Sequence, residues 1–517
     1  MSEASAGAAA LPGGALPRAA PQARAAALGK WWPLAALTLL AAALRLGTLG
    51  HQSLWYDEAF TPVHVLRASL ASTLHNMVHS ENSPPLWYVL EWAITRALGT
   101  GAVALRLLSA LTGIATVPVA WAIGRELQGP PTQRAAVATA AFVAVNPLLV
   151  WYSQEARAYG LFVFTASLAF LCFLRALRSP SRRRLLEFAV AASLALLSHY
   201  FAVFLLLPMG VWLLWTAIPG KLSRVLYGLA LPALVALALI PLILAQGAHG
   251  TQWIGEWALA SRLEAIPQYY LTGYTGSALG HGVELLVALS IGAGVVHGLW
   301  CTMTAREEER GALIALVVSV CGVLIPILLA VLGADYLAPR NLVAAMVPLS
   351  ALLAIVIVAA RTGRTGALLA ALVALAFLAL TIDVNLSPRL QRGDWAGLAR
   401  VLGRGSGPRA ITTVELGAAP LEYYLPQLGN LAHGGEAKVS EVDETGYAPL
   451  RASAESPPAP GFRLRERRDI HGLVVYRFTS PVPVTIPELV LREHVITLAH
   501  PEVLVPVSKP VSSGKTT

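Results

Sequence analysis

The sequence predicts an all-α polytopic membrane protein of about 11 transmembrane helices, with one more helix at the outer face and a small extracytoplasmic α/β domain at the carboxyl end. Three observations carry this. Among 517 residues only 38 are Lys or Arg and 29 are Asp or Glu, a charged share of 13%, against about 25% in ordinary globular chains. That is too little polar surface to cover a soluble protein of this length, and far too apolar for a disordered one. Apolar runs of spanning length recur through residues 31–384. Beyond them the composition turns ordinary, with 15 basic and 13 acidic residues in 385–517.

Residues 1–30 hold 12 alanines, three prolines and three basic residues, and read as a disordered cytoplasmic tail. The first apolar run, 31–49, lacks a small-residue cleavage site and reads as an uncleaved anchor. Further runs follow at 102–123, 135–151, 158–174, 185–199, 201–217, 225–245, 283–303, 311–332, 342–360 and 366–384. Some fall short of the ~20 residues a spanning helix needs. The stretch 85–98 is shorter still and carries Glu91 and Arg96.

Basic residues decide what 85–98 does, because cytoplasmic loops are enriched in Lys and Arg. If it does not span, 16 basic residues fall on one side: Arg18, Arg24, Lys30, Arg125, Arg134, Arg175, Arg178, Arg182 to Arg184, Lys221, Arg224, Arg306, Arg310, Arg361 and Arg364. The opposite loops hold five, Arg67, Arg96, Arg157, Arg262 and Arg340. If it spans, the Arg-rich 175–184 loop faces outward. The stretch is therefore a juxtamembrane helix at the outer face, with the amino terminus inside and the carboxyl terminus outside.

Two outer loops are long, 50–101 and 246–282. In 385–517, Ala410–Leu416 and Leu473–Phe478 look like strands, Asp394–Leu402 like a helix, and prolines break the chain at 456–460. Cys172, Cys301 and Cys321 lie in apolar runs and suggest buried small side chains, not disulfides or metal ligands. The net charge of +9 is explained by basic loops, so no nucleic-acid partner is expected.

Ten of the 15 carboxylates in 31–384 sort to the outer side. Ionisable groups at a membrane face are costly unless solvated or paired, so such a cluster is a functional hypothesis. The densest part is Leu54-Trp55-Tyr56-Asp57-Glu58-Ala59-Phe60, just after the first run. A turn follows at Asn82-Ser83-Pro84-Pro85-Leu86-Trp87-Tyr88, whose Pro pair suits a helix start. The second outer loop is Trp151-Tyr152-Ser153-Gln154-Glu155-Ala156-Arg157-Ala158-Tyr159. The plainer alternatives are an interfacial aromatic belt, and mutual neutralisation of Glu155 by Arg157. His199-Tyr200 sits at a tight hairpin, where an interfacial histidine is the plain alternative to a ligand. Arg340, in Asp335-Tyr336-Leu337-Ala338-Pro339-Arg340-Asn341, opposes the inside bias and is a candidate anion holder. Arg106 and Arg45 are paired or snorkelling. Asp57 and Glu155 can meet over one cavity, as general base and as ligands of a divalent cation. Arg157 and Arg340 would then stabilise a phosphate leaving group.

These motifs, in order, resemble a family. The set is the Asp57-Glu58 pair, the Asn-Ser-Pro-Pro-Leu-Trp-Tyr turn, Ala104-Leu105-Arg106-Leu107-Leu108-Ser109-Ala110-Leu111, Ser153 to Tyr159, Ser198-His199-Tyr200, Tyr336 to Asn341, and Arg392-Gly393-Asp394-Trp395. It is similar to the C-type (GT-C) glycosyltransferase superfamily, in the bacterial branch of protein mannosyltransferases and aminoarabinose and lipopolysaccharide-core sugar transferases. The likeness runs over about 50–430.

The resemblance implies a catalytic domain over 31–384 and inverting sugar transfer from a polyprenyl-phosphate donor to a glycan or protein hydroxyl, at the outer face of a bacterial cytoplasmic membrane. Asp57 matches the first-loop catalytic acid, Glu58 is its neighbour, and Glu155 matches the second acid. Arg157, Tyr159 and Arg340, with His199, Tyr200 and Arg106, would bind donor phosphate and sugar. Relatives often carry His or Lys before the Pro pair where this chain has Asn-Ser. Some members use Mg or Mn, for which Asp57 and Glu155 are the ligands implied.

Two other classes share the spans. A flippase or transporter for lipid-linked saccharides would need polar groups near the midplane and often internal inverted repeats. A non-catalytic assembly protein would bind through the outer domain and would not need Asp57 or Glu155. Within the enzymes, the runner-up is a polymerase or ligase of larger glycans.

Overall fold

Each of the eleven apolar runs forms a helix in the computed structural model, which describes residues 21–129, 133–217, 221–247, 252–274, 281–301, 306–403, 407–495 and 500–507. The helices are Pro21–Leu46, Ala102–Gln128, Arg134–Val145 continued by Pro147–Ser153, Tyr159–Arg178, Arg182–Ser198, Ala202–Trp215, Leu222–Gln246, His281–Trp300, Arg306–Val331, Pro339–Ala345 continued by Met346–Ile357, and Gly363–Leu386. Among the described residues seven are long and apolar enough to cross a membrane, or eight if the pair bent by 56° at Asn146 is one span. Trp31–Leu46 and Ala202–Trp215 are apolar but shorter. The chain is thus a helical multi-pass membrane protein.

The described part of the first helix, Pro21–Leu46, reaches into the segment expected to be a disordered tail; alanine-rich sequence favours helix. The rest of that tail, 1–20, and the polar end 509–517 lie outside the described residues. The 85–98 stretch forms the helix Leu86–Leu98. Cys172 is buried, while Cys301 and Cys321 are only half-buried, and all three are free thiols.

The bend at Asn146 has a local cause. Pro147 cannot donate to the preceding turn, and the Asn146 side chain caps the next helix by accepting from Leu149 N at 3.0 Å. The carbonyls this break exposes need donors. Arg45 donates to Ala144 O at 2.8 Å and Val143 O at 3.2 Å, and Thr381 Oγ1 to Val145 O at 2.7 Å. So Arg45 does not snorkel; it mends the broken helix. Close helix contact is made through small residues: a Cβ on Gly160 would lie 2.8 Å from Ser109 O, and one on Gly124 2.6 Å from Ala135 O.

Loops gather at the two ends of the helical bundle. At one end Glu126 pairs with Arg175 and Arg178, Arg134 donates to Gly363 O, and Arg125 lies over Trp31. The loops of 50–101, 154–158, 199–201 and 332–338 meet at the other end, together with the carboxyl-terminal region.

That region is a six-stranded mixed sheet: β1 Arg409–Thr413, β2 Leu428–Asn430, β3 Glu436–Tyr447, β4 Arg463–Ile470, β5 Leu473–Pro487 and β6 Glu502–Pro506. The order is β2-β6-β1-β3-β5-β4, with β1 and β3 parallel and the remaining neighbours antiparallel. The helix Trp395–Leu402 is capped by Asp394, which accepts from Gly397 N at 2.8 Å. The predicted helix and both predicted strands are present. The sheet's core also includes Trp55 from the first loop. Ser53 Oγ donates to Gly393 O at 2.9 Å and accepts from Trp395 N at 3.1 Å. Leu54 N donates to the Tyr424 hydroxyl at 2.8 Å. The first loop and the sheet are therefore one packed unit.

Candidate functional site

The first loop turns Tyr56–Phe60 into a single helical turn. Adjacent residues on a helix point about 100° apart, so Asp57 and Glu58 meet different surroundings. Glu58 is fully buried and receives both Arg106 Nε at 2.7 Å and Nη2 at 2.6 Å. It also accepts from Ala156 N at 2.8 Å, which ties the first loop to the second. Burial works against its charge, yet Arg106, Arg392 and that amide hold the carboxyl below the usual range. Arg106 in turn donates to the carbonyls of Leu49, Gln52 and Ser53. It is a strut for the first loop, with no free donor face toward a phosphate. Glu58, sealed beneath it, is a counter-ion and not a second exposed acid.

Asp57 stays partly open, with 18% of its side chain exposed, and its Oδ2 receives Arg340 Nη1 at 2.7 Å. Arg340 opens the turn Pro339–Ala345, which other contacts fix. Arg262, from the helix Leu259–Thr272 in the second long loop, holds Asp335 by two bonds of 2.7 and 2.6 Å and Leu337 O at 2.9 Å. Tyr270 donates to Leu342 O at 2.7 Å. Asp335 is thereby kept below the ordinary carboxylate range.

In the second loop, Glu155 and Arg157 do not neutralise each other. Arg157 forks onto Glu81 with two bonds of 2.9 Å, and also reaches the backbone carbonyl of Asp57 at 3.4 Å. Spacing of two sends the side chains apart, so each finds a distant partner. Glu155 is buried and takes Arg392 Nη2 at 2.5 Å. Arg392 is also 3.5 Å from Glu58 and is sandwiched between Trp55 and Trp151, 4.9 and 4.5 Å from the ring centroids. Burial pushes Glu155 up to about 7 even beside Arg392, and the Glu58 and Asp57 carboxylates add to the rise.

Tyr159 lies buried between Tyr152, at 4.8 Å, and His199, at 5.7 Å. His199 stacks on Phe162 at 4.6 Å, and its Nδ1 accepts from Phe201 N at 3.2 Å. Burial, with Arg157 and Arg340 nearby, lowers it to about 3, so its ring is neutral at physiological pH. Tyr200 points away and donates to Gln246 at 2.7 Å, and Gln246 donates to Met77 O and Ser83 O. Tyr200 therefore braces the Asn-Ser-Pro-Pro turn against the helix Leu222–Gln246.

Asp57 and Glu155 do come within electrostatic reach of each other, but not as metal ligands. A hard divalent cation needs several converging oxygens, and different arginines claim these two carboxylates. Among the described residues no group of three or more His, Cys, Asp or Glu gathers. The residues present do not fit a Mg or Mn site.

Sequence reasoning passed over Arg392, Glu81, Arg262 and Trp151 as site residues. Arg392 did lie in a motif, Arg-Gly-Asp-Trp, and Glu81 just precedes the Asn-Ser-Pro-Pro turn; Arg262 was counted only as an outer exception to the charge bias.

Residues 82–244 match the family of dolichyl-phosphate-mannose-protein mannosyltransferases. No curated protein matches the chain. Two solved structures of ArnT from Cupriavidus metallidurans share the fold. The apo form has a TM-score of 0.52 and the form bound to undecaprenyl phosphate 0.51; each is 15% identical and covers 87% of this chain and 98% of its own. Residues 82–244 are thus similar to that mannosyltransferase family, and the chain as a whole shares the fold of ArnT.

Proposed function

We propose that the chain moves one sugar from a polyprenyl-phosphate donor to an acceptor hydroxyl, with inversion, at the extracytoplasmic face of a bacterial inner membrane. In this reading all eleven apolar helices of 31–384 span, the amino terminus is inside, and the sheet of 385–517 is outside. The observation that carries it is the half-open Asp57–Arg340 pair, a carboxylate and a guanidinium side by side, with Arg157 at the Asp57 backbone. ArnT, which has this fold, binds undecaprenyl phosphate, the lipid such a transfer releases.

The chemistry follows from that pair. A donor phosphate competes for Arg340, for which it is the better-matched bidentate partner. Asp57 then faces the acceptor with a free lone pair and takes its hydroxyl proton. The oxygen attacks the anomeric carbon opposite the phosphate, forming the glycosidic bond. The carbon–oxygen bond to phosphate breaks, and its electron pair leaves on the phosphate, held by Arg340 and Arg157. Glu155 orients the acceptor behind Asp57, while Glu58 and Arg106 fix the loop. Tyr159 and neutral His199 form the wall beside the sugar.

A transporter would set its ionisable groups near the midplane, whereas the site's carboxylates sit in loops at one end. The test is purified protein with a panel of radiolabelled polyprenyl-phosphate monosaccharides plus membrane extract. Label is expected to move to an extractable acceptor from at least one donor; transport of label across vesicles without transfer would overturn the proposal.

A further inference from the structure

Glu155 is held by a residue from outside the helical bundle. Arg392 lies between the last helix, Gly363–Leu386, and the sheet. Its guanidinium is buried, reaches Glu155 Oε2 at 2.5 Å, and is clamped by two indole rings from two loops. The next residues, Gly393 and Trp395, are the ones bonded to Ser53, and Tyr424 of the sheet region holds Leu54. Trp55, one face of the clamp, is in the sheet's core.

We infer that Arg392 is the positioning residue of Glu155, holding its carboxylate charged and aimed only while the carboxyl-terminal domain is seated, so that this domain is part of the catalytic unit. The inference rests on the transfer reading of the site. Glu155 Oε2 is taken by Arg392, and Oε1 is buried with no hydrogen-bond partner among the described residues. One oxygen is anchored and the other is left without a protein partner among the described residues.

The groups around Glu155 are Glu58, Asp57, Arg340, Arg106 and the phenols of Tyr152, Tyr159, Tyr269 and Tyr274. The two carboxylates oppose its charge. Arg340 and Arg106 are each already bonded to one of those carboxylates. Arg392 is therefore the cation whose loss Glu155 would feel most. Burial already raises the carboxyl to about 7, so loss of its cation is felt near neutral pH.

The experiment uses the full chain in detergent. Infrared difference spectroscopy follows the protonated-carboxyl band that Glu155→Gln removes. Wild type is expected to titrate near 7. Arg392→Ala is expected to titrate at least about one unit higher, which cuts the charged fraction at pH 7 roughly fivefold. Arg392→Lys should fall between. A Ser53→Ala/Tyr424→Phe double variant, with Arg392 intact, should move the midpoint the same way, and it serves alone if Arg392→Ala does not fold. An unmoved midpoint in a folded Arg392→Ala, or in the double variant, overturns the inference. The pH–rate profile with undecaprenyl-phosphate monosaccharides should show an acid limb that moves with the midpoint. A midpoint that moves while the limb stays would refute the role of Glu155 in transfer and leave its dependence on Arg392 standing.

Discussion

Asp57 and Glu58 are neighbours with opposite expected fates, and their contrast is the sharpest test of the site. Asp57→Asn removes a charge but keeps an oxygen for Arg340. Both members of that pair are partly exposed, 18% and 23%, and pairs open to solvent are worth up to about 1 kcal/mol. The fold should barely notice. Catalysis should, because loss of a general base costs about 10²–10⁴-fold, roughly 3–5 kcal/mol of barrier. Glu58→Gln does the reverse. It sets an amide against a guanidinium that is 1% exposed and leaves that charge unpaired. Breaking one half of a buried pair costs about 3–5 kcal/mol. Thermal melting in detergent and initial rates with a polyprenyl-phosphate sugar separate the two. Asp57→Asn should melt close to wild type and turn over at least about 100-fold more slowly; Glu58→Gln should melt markedly lower. Turnover of Asp57→Asn within about tenfold of wild type, or a melting loss equal to that of Glu58→Gln, would refute the assignment.

Three further outcomes follow from single contacts. Arg157→Lys keeps charge but loses the fork onto Glu81, and should slow turnover by roughly tenfold or more; unchanged rates would mean that Arg157 serves the loop alone. Arg45→Met leaves the Val143 and Ala144 carbonyls without their donor, which should cost about 2–4 kcal/mol, read as a clear drop in melting temperature. Glu91 is fully buried in the helix Leu86–Leu98 with neither carboxyl oxygen partnered among the described residues, and burial raises it well above the usual range. A raised carboxyl binds its proton more tightly when folded, so its contribution is greatest below about pH 4 and is lost as pH climbs. Glu91→Leu should therefore raise the melting temperature more at pH 8 than at pH 4, and an equal gain at both would show that Glu91 finds a partner.

The long helices were legible because a bilayer demands long apolar runs. What escaped was pairing over distance. Asp57 and Arg340 are 283 residues apart, and Glu155 and Arg392 are 237 apart; no periodicity reports such contacts. The sequence pairs Glu155 with Arg157 by nearness, but two residues of separation at a helix entry turn the side chains apart. Glu58 read as the neighbour of Asp57 in the catalytic set, because only the turn Tyr56–Phe60 shows which of two adjacent carboxylates faces inward. Strands β3 and β4 hid behind charge: Glu441, Asp443 and Glu444 sit within β3, and Arg463 to Asp469 within β4. Glu441 and Asp443 are matched by Arg409 and Arg477, and Glu444 by His494.

The site's ion pairs divide into two kinds, and the division says something about order. Glu58–Arg106 and Glu155–Arg392 are sealed, with no side chain more than 5% exposed. Such pairs gain little net stability after desolvation, but they fix geometry and cannot exchange partners without opening the fold. Asp57–Arg340 and Arg157–Glu81 keep their arginines partly open, so an incoming anion can take over a guanidinium. While Arg340 holds Asp57, the Oδ2 oxygen is already engaged by the guanidinium. A phosphate that takes over Arg340 leaves that oxygen free to accept from an acceptor hydroxyl. The donor would therefore make its own base. An acceptor arriving first would meet a carboxylate still bound to arginine, so the arrangement favours donor before acceptor.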